Sequence, residues 1–271
     1  MKAKKSLGQN FLKSSLALKK IIEAGEIKST DLILEIGPGK GALTEKLLAV
    51  AGTVVAVEKD RELFEFLKIK FEKEIKAKTL ILVCADILNF AEQDFYQSLG
   101  DELRSTTPSK TFVPLRYKVI ANIPYNITGA ILKKFLTKKN QPDSMILMVQ
   151  HDVAKRIMAN DKKESILSIS VKAYGEPKLI MKVPARYFSP APKVDSAVIA
   201  IKNISHEIFK KNQISEEKFW EIVKTGFAHK RKKLSGNLKN TTFLKKSVLA
   251  NFGDKRAEDL SLLDWITLAK V

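Results

Sequence analysis

Cysteine is nearly absent. Cys84 stands alone in 271 residues, so no internal disulfide can form and a hydrophobic core must hold the fold. Histidine is almost as scarce, and His151, His206 and His229 are scattered without the spacing of metal ligands, which excludes a zinc centre from the expectation. No apolar run reaches the roughly 18 residues that a membrane span needs, and the basic amino terminus lacks the apolar stretch of a signal peptide. The expectation is a cytoplasmic, monomeric chain with no membrane or metal partner. Acidic residues are also in deficit, at 30 against 48 Lys and Arg, and the resulting formal charge of +18 points to a polyanionic partner. Hydrophobic residues make up 45% of the chain, enough for a main domain of roughly 200 residues and a smaller appendage. There is no internal repeat or low-complexity tract.

The amino-terminal half alternates short apolar runs with amphipathic stretches, as βα units do. Ser14 or Ser15 caps a predicted helix that runs through Ala24 and closes at Gly25, preceded by Gln9-Asn10-Phe11-Leu12, which reads either as a lid over a ligand or as a polar lead-in. The strand Leu32–Ile36 turns through Gly37-Pro38-Gly39-Lys40-Gly41 into a helix over 42–50. This is the glycine turn of a nucleotide-binding unit, though its spacing departs from the dinucleotide fingerprint. The next strand, Thr53 to Val57, stops at Glu58, about 20 residues past the first glycine, where an acid can accept both hydroxyls of a ribose. A helix over 61–75 leads to a third strand, Thr79 to Cys84, and then to Asp86, an acceptor for a base amino group, with Ile87 against the ring. Residues Ala91 to Arg116 read as a partly helical excursion with no assigned chemistry.

The apolar run Tyr117 to Ala121 ends in Asn122-Ile123-Pro124-Tyr125, at the carboxyl end of a predicted strand, where open α/β sheets place their chemistry. Pro124 fixes its own φ and biases Ile123 toward extended backbone, so the Ile123 carbonyl and the Asn122 side-chain oxygen become adjacent acceptors. Paired acceptors suit an exocyclic amino group, and Tyr125 offers a flat face to its base. Taken alone, the tetrapeptide is also an ordinary Asn-x-Pro turn. Further on, 166–174 is read as a half-buried strand, and 178–183 and 196–201 as strands around Phe188-Ser189-Pro190. Phe188 is either a second stacking face or a core anchor. From about Asn203 the pattern is helical, with a helix beginning at Ser215, the basic run Lys230, Arg231, Lys232 and Lys233 as a phosphate-contacting patch, and a last helix over 256–269. Leu260, Leu263, Trp265, Ile266 and Leu268 are its core candidates.

Together, Gly8-Gln9-Asn10-Phe11-Leu12, Glu35-Ile36-Gly37-Pro38-Gly39-Lys40-Gly41, Asn122-Ile123-Pro124-Tyr125-Asn126 and Pro190-Ala191-Pro192-Lys193-Val194-Asp195-Ser196 resemble the ribosomal RNA adenine N6,N6-dimethyltransferase family, in order and spacing. The resemblance covers nearly the whole chain, extends through Arg256-Ala257-Glu258-Asp259-Leu260-Ser261, and is nearest to the bacterial small-subunit branch. It implies a Rossmann-like, S-adenosylmethionine-dependent α/β methyltransferase sheet over 1–202 and a small all-helical RNA-binding domain over 203–271. It implies cofactor contacts at Asn10, Leu12, Gly37, Glu58, Asp86 and Asn122, to which the reading of the residues adds Gly39 and Ile87. The catalytic set would be Asn122, Ile123, Pro124, Tyr125 and Phe188, acting on 16S ribosomal RNA in a small-subunit assembly intermediate. Alternatives are a large-subunit adenine methyltransferase of the antibiotic-resistance type, and a ribosome-assembly RNA-binding factor without catalysis. A DNA adenine methyltransferase would need a target-recognition domain for which there is little room.

Overall fold

The computed structural model describes residues 3–99, 116–159, 161–239, 241, 249 and 251–270. Residues 100–115, most of the excursion expected between Ala91 and Arg116, lie outside the described residues; its opening is the helix Glu92–Ser98. The described chain divides into two compact units, Met1–His151 with Lys178–Lys202, and Asp152–Pro177 with Asn203–Val271.

The first unit is built on a sheet of β2 (Leu32–Ile36), β3 (Thr53–Glu58), β4 (Leu80–Cys84), β5 (Lys118–Asn122), β6 (Ser144–Gln150), β7 (Glu176–Val183) and β9 (Ser196–Lys202). Their order is β4-β3-β2-β5-β6-β9-β7. Strands β2 to β6 pair in parallel and β9 runs antiparallel to β6. Helices cover the parallel strands, which is why β5 and β6 read as unbroken apolar runs. Their covering faces follow helical spacing: Ala17, Leu18, Ile21 and Gly25 are buried in the helix Ser15–Gly25, and Thr128, Ile131, Leu132 and Phe135 in the helix Thr128–Leu136. A separate two-stranded ribbon joins β1 (Phe11–Leu12) antiparallel to β8 (Phe188–Ser189).

Several expectations need correction. The segment 166–174 is helical at Ile166–Lys172, not a strand. Ser165 caps it, its hydroxyl accepting from the Ser168 N–H (3.2 Å), and the buried Ser168 hydroxyl is satisfied by the Ser165 carbonyl (2.9 Å). Ser165 and Ser168 therefore mark a helix cap and an inward polar position. The helix over 61–75 is broken at Phe71, whose backbone leaves helical geometry between Arg61–Lys70 and Glu72–Lys76. The first helix is closed by Glu26 in the left-handed region (φ 44°), while Gly25 is needed for space: a Cβ there would sit 2.9 Å from Ile120. The last helix is two pieces, a 3-10 turn Ala257–Asp259 and the helix Leu262–Ala269, because Ser261 caps the second. Leu263, expected in its core, is 71% exposed.

Residues 152–177 belong to the second unit, not to the domain drawn over 1–202. The reason is local chemistry around Tyr174. Its hydroxyl bonds Glu216 and accepts from the Trp220 indole N–H (2.9 Å), while His206 meets the other Glu216 oxygen (2.9 Å). Lys163 adds ion pairs to Glu258 (3.4 Å) and Asp259.

Packing in this unit is tight where the helix Glu216–Gly226 meets Trp265. A Cβ on Gly226 would stand 2.4 Å from the Trp265 ring. Gly226→Ala should therefore destabilise the unit by roughly 1–3 kcal/mol, whereas Gly236→Ala, with nothing within 4 Å of the added carbon, should be neutral or stabilise by about 0.5–1 kcal/mol. Both tryptophans, Trp220 and Trp265, lie in this unit, so urea unfolding followed by indole fluorescence reads it directly. Equal midpoints for the two variants would contradict the packing argument.

Candidate active site

Strand β2 pairs with β3 along its length, from Leu32↔Thr53 to Ile36↔Val57, but with β5 only at Ile33↔Lys118 and Leu34↔Val119. Beyond Leu34 the two strands part. This is where the strand order reverses, and the gap opens a cavity of about 460 Å³ at the carboxyl ends of the strands. The glycine turn enters it from β2, Glu58 from β3, Asp86 and Ile87 from the segment after β4, and Asn122 to Tyr125 from β5. An unbroken run from Ser6 to Lys13 completes the wall.

Gly37 (φ 65°) and Gly39 (φ 60°) hold left-handed backbone that favours glycine. The Gly37 N–H is used on Val57 O (2.9 Å), while the Gly39 N–H donates to Glu58 Oε2 (3.0 Å). The other Glu58 oxygen accepts from the Asp60 N–H (2.8 Å). Burial nevertheless pushes the Glu58 carboxyl above its ordinary value, against the pull of those two N–H groups. Asp86 is held below the carboxylate range by the Lys59 ammonium at 2.8 Å, and its second oxygen accepts from the Leu88 N–H (3.0 Å). Leu12 and Ile87 are buried and supply apolar surface to the cavity.

At the end of β5 the Asn122 amide donates to the Asn10 carbonyl (3.2 Å). That contact fixes the amide plane and leaves Oδ1 without a donor among the described residues. Pro124 (φ −59°, ψ 134°) starts a 3-10 turn over Tyr125–Ile127. The Tyr125 hydroxyl lies 2.5 Å from the buried Ser196 Oγ, which anchors the ring, and burial raises the phenol's pKa.

The expected residues Asn10, Leu12, Gly37, Gly39, Glu58, Asp86, Ile87, Asn122, Ile123, Pro124 and Tyr125 thus line one cavity. Phe188 does not join them. It is 2% exposed and packs in the core with Leu12, Leu18 and Val198, so of the two sequence readings the core anchor applies; its neighbour Ser189 lines the cavity. The strand alternation of β8 sends adjacent side chains to opposite faces, and Phe188 takes the inner one. Lys230, Arg231, Lys232 and Lys233 are exposed in the second unit, on the turn before the helix Leu234–Leu238, and Lys233 pairs with Asp254 (2.7 Å). Among the described residues, no group of three or more His, Cys, Asp or Glu is placed to hold a metal ion.

Sequence reasoning assigned no role to Asp60, Ser196 or Glu35. Asp60 carries only a helix-cap signal, and a buried serine carries none. Glu35 was visible as a carboxylate inside the apolar run Leu32–Ile36. It is 1% exposed, lines the cavity, and its Oε2 meets no partner among the described residues. Burial lifts its pKa to about 8. The folded protein thus keeps a proton that the unfolded chain releases near pH 4.5, so stability falls as pH rises from there to about 8. Glu35→Gln should flatten this dependence and raise the thermal midpoint of the free protein at pH 8 by several degrees, with little change at pH 4.5. Thermal melts across that range test it; parallel curves for the two proteins would rule out the buried acid as the cause.

A family model described as ribosomal RNA adenine dimethylase matches residues 1–271. The ribosomal RNA small subunit methyltransferase A of Dehalococcoides mccartyi (strain CBDB1) is 39% identical over 272 residues, spanning 98% of this chain and 87% of that protein. Among solved structures, a dimethyladenosine transferase from Plasmodium falciparum superposes with a TM-score of 0.73 at 26% identity over 95% of each chain. The 23S rRNA methyltransferase ErmE superposes with a TM-score of 0.69 at 22% identity, over 96% of this chain and 98% of that one, and shares the fold. The match of the family model along the whole length, on a chain whose sheet opens at β2 and β5 around these motifs, places it in the ribosomal RNA adenine dimethylase family.

Proposed function

We propose that the cavity holds S-adenosylmethionine and that Asn122, Ile123, Pro124 and Tyr125 present the N6 amine of an adenine to it. The chain is an S-adenosylmethionine-dependent adenine N6,N6-dimethyltransferase of small-subunit ribosomal RNA. The donor set fits such a cofactor. Glu58 offers an acid at the end of β3 for ribose hydroxyls, Leu12 and Ile87 flank a base, and Asp86 supplies an acceptor. Glu35 adds a carboxyl near Glu58 with one oxygen unpartnered among the described residues; neutral below about pH 8, it would give up its proton more readily beside a positively charged ligand.

The observation that carries the reading is the Asn122 amide held on the Asn10 carbonyl, with its oxygen left for a donor. When bound, S-adenosylmethionine supplies an electrophilic methyl group. The protein's work is alignment. Asn122 Oδ1 and the Ile123 carbonyl accept the two N6 hydrogens, which turns the nitrogen lone pair toward the cavity, and Tyr125 gives the extruded base a stacking face. The proton released from N6 on alkylation leaves to water, so no side-chain base is required. The helical residues of 203–271 grip RNA through Lys230, Arg231, Lys232 and Lys233, without reading its sequence. The enzyme works as a monomer in the cytoplasm on a small-subunit assembly intermediate.

Purified small and large subunits incubated with labelled S-adenosylmethionine test the reading, with nucleoside mass spectrometry of the product. The expected outcome is N6,N6-dimethyladenine in small-subunit RNA, with a transient monomethyl species. Labelling confined to large subunits, or monomethyl product alone at completion, would refute it. Asn122→Ala should slow both transfers by roughly 100-fold. Replacing Lys230, Arg231, Lys232 and Lys233 by Ala should make the log–log salt dependence of RNA affinity shallower by roughly 3; an unchanged slope would remove that patch from the RNA interface.

A further inference from the structure

The amino-terminal run that walls the cavity is tied down at one buried carboxylate. Asp60 is 4% exposed and takes three donors. Its Oδ1 accepts from the Lys4 ammonium (2.8 Å) and from the Glu62 N–H (3.0 Å), capping the helix that starts at Arg61. Its Oδ2 accepts from the Gln9 amide (2.8 Å). Gln9 in turn accepts the Lys4 N–H on Oε1 (2.7 Å), which closes residues 4–9 into a loop. Burial works to lift the Asp60 pKa, and the Lys4 and Gln9 contacts outweigh it, so the group stays ionised.

Both ends of this arrangement reach the reacting site. The Asp60 N–H holds Glu58 Oε1 (2.8 Å), so the latch and the ribose acid share one turn of backbone. One residue beyond Gln9, the Asn10 carbonyl receives the Asn122 amide (3.2 Å). Next, the Phe11 ring packs on the glycine turn, where a Cβ on Gly39 would stand 3.1 Å away. A strap fixed at Asp60 therefore sets the height of the Asn10 carbonyl, and that carbonyl sets which way Asn122 Oδ1 faces.

We propose that Asp60 and Gln9 are positioning residues for methyl transfer: their bond docks the strap 4–13 over the cofactor and, through Asn10, orients Asn122 toward the amine. Cofactor retention and alignment of the target base are thereby coupled through one contact. The inference rests on S-adenosylmethionine occupying the cavity.

A polarity swap tests it. Asp60→Asn sets an amide N–H against the Gln9 amide N–H, yet an amide at position 60 still caps the helix. Gln9→Glu sets two carboxylates together. Combining Gln9→Glu with Asp60→Asn restores one donor and one acceptor across the same gap. Each single change should raise the S-adenosylmethionine dissociation rate about tenfold and lower turnover at saturating cofactor and RNA severalfold. The double variant should return both to within about threefold of wild type. Lys4→Met, at a half-exposed position, should raise the dissociation rate severalfold without a loss of thermal stability. A purely structural role would lower the melting temperature of the single variants without the double recovering turnover. Single variants that release cofactor at the wild-type rate, or a double variant no better than the product of the singles, would overturn the proposal while leaving wild-type methylation intact. Wild-type protein that fails to bind S-adenosylmethionine would overturn this inference and the functional reading together.

Discussion

The short pairing between β2 and β5 is the constraint on which the site depends. Two parallel strands at the centre of a sheet would ordinarily run together to their ends, yet this ladder has only Ile33↔Lys118 and Leu34↔Val119, while the outer ladders continue to Ile36↔Val57 and Asn122↔Met148. With each strand still bonded on its other side, the ends of β2 and β5 can separate without leaving the sheet unpaired. The glycine turn and the Asn122 loop therefore face each other across a gap flanked by strands that stay paired on their outer sides. Loops placed on such ends keep their geometry because the strands beneath them are buried on both faces.

Two buried acids in this gap are costly to the fold. Glu35 and Glu58 are both buried, and burial raises both carboxyls. Glu58 recovers part of the cost from the Gly39 and Asp60 N–H groups; Glu35 has an oxygen with no partner among the described residues. Evolutionary retention need not be invoked to see the consequence. A site that crowds carboxyl groups into a low-dielectric cavity favours a cationic ligand over a neutral one, because a nearby positive charge stabilises the ionised forms that burial disfavours.

The parts of this arrangement that were legible in the sequence are those that depend on backbone conformation or on a strand's end. Gly37 and Gly39 announce left-handed turns, and Glu58 and Asn122 interrupt apolar runs where strands must stop. The invisible parts depend on residues far apart in sequence finding each other. Gln9 with Asp60, and Tyr125 with Ser196, have no local pattern, since each partner alone is an ordinary polar residue. Tyr174 with Glu216 is of the same kind, and local sequence pattern therefore does not group 152–177 with the chain after Asn203. Phe188 shows a different limit. A motif identifies the residue but not which face of a two-stranded ribbon it takes, and pairing with Leu12 settled that in favour of the core.

On the proposed assignment of Asn122 and the Ile123 carbonyl as the acceptors of the N6 hydrogens, dimethylation places a demand on this loop that a single transfer would not. After the first methyl is added, N6 keeps one hydrogen, so one of the two acceptors must be left without a donor. Had both acceptors been carboxylate oxygens, that vacancy would leave a buried charge partly unsolvated, and the second alignment would be strongly disfavoured. A side-chain amide oxygen and a backbone carbonyl are neutral, and leaving one neutral acceptor unsatisfied costs about 1–3 kcal/mol, less than for a charged group. The buried, apolar Ile123 and the ring of Pro124 carry no charge that repels a methyl group. On that assignment asparagine suits an enzyme that returns to the same nitrogen, and its anchorage on Asn10 would keep the remaining acceptor in place for the second transfer.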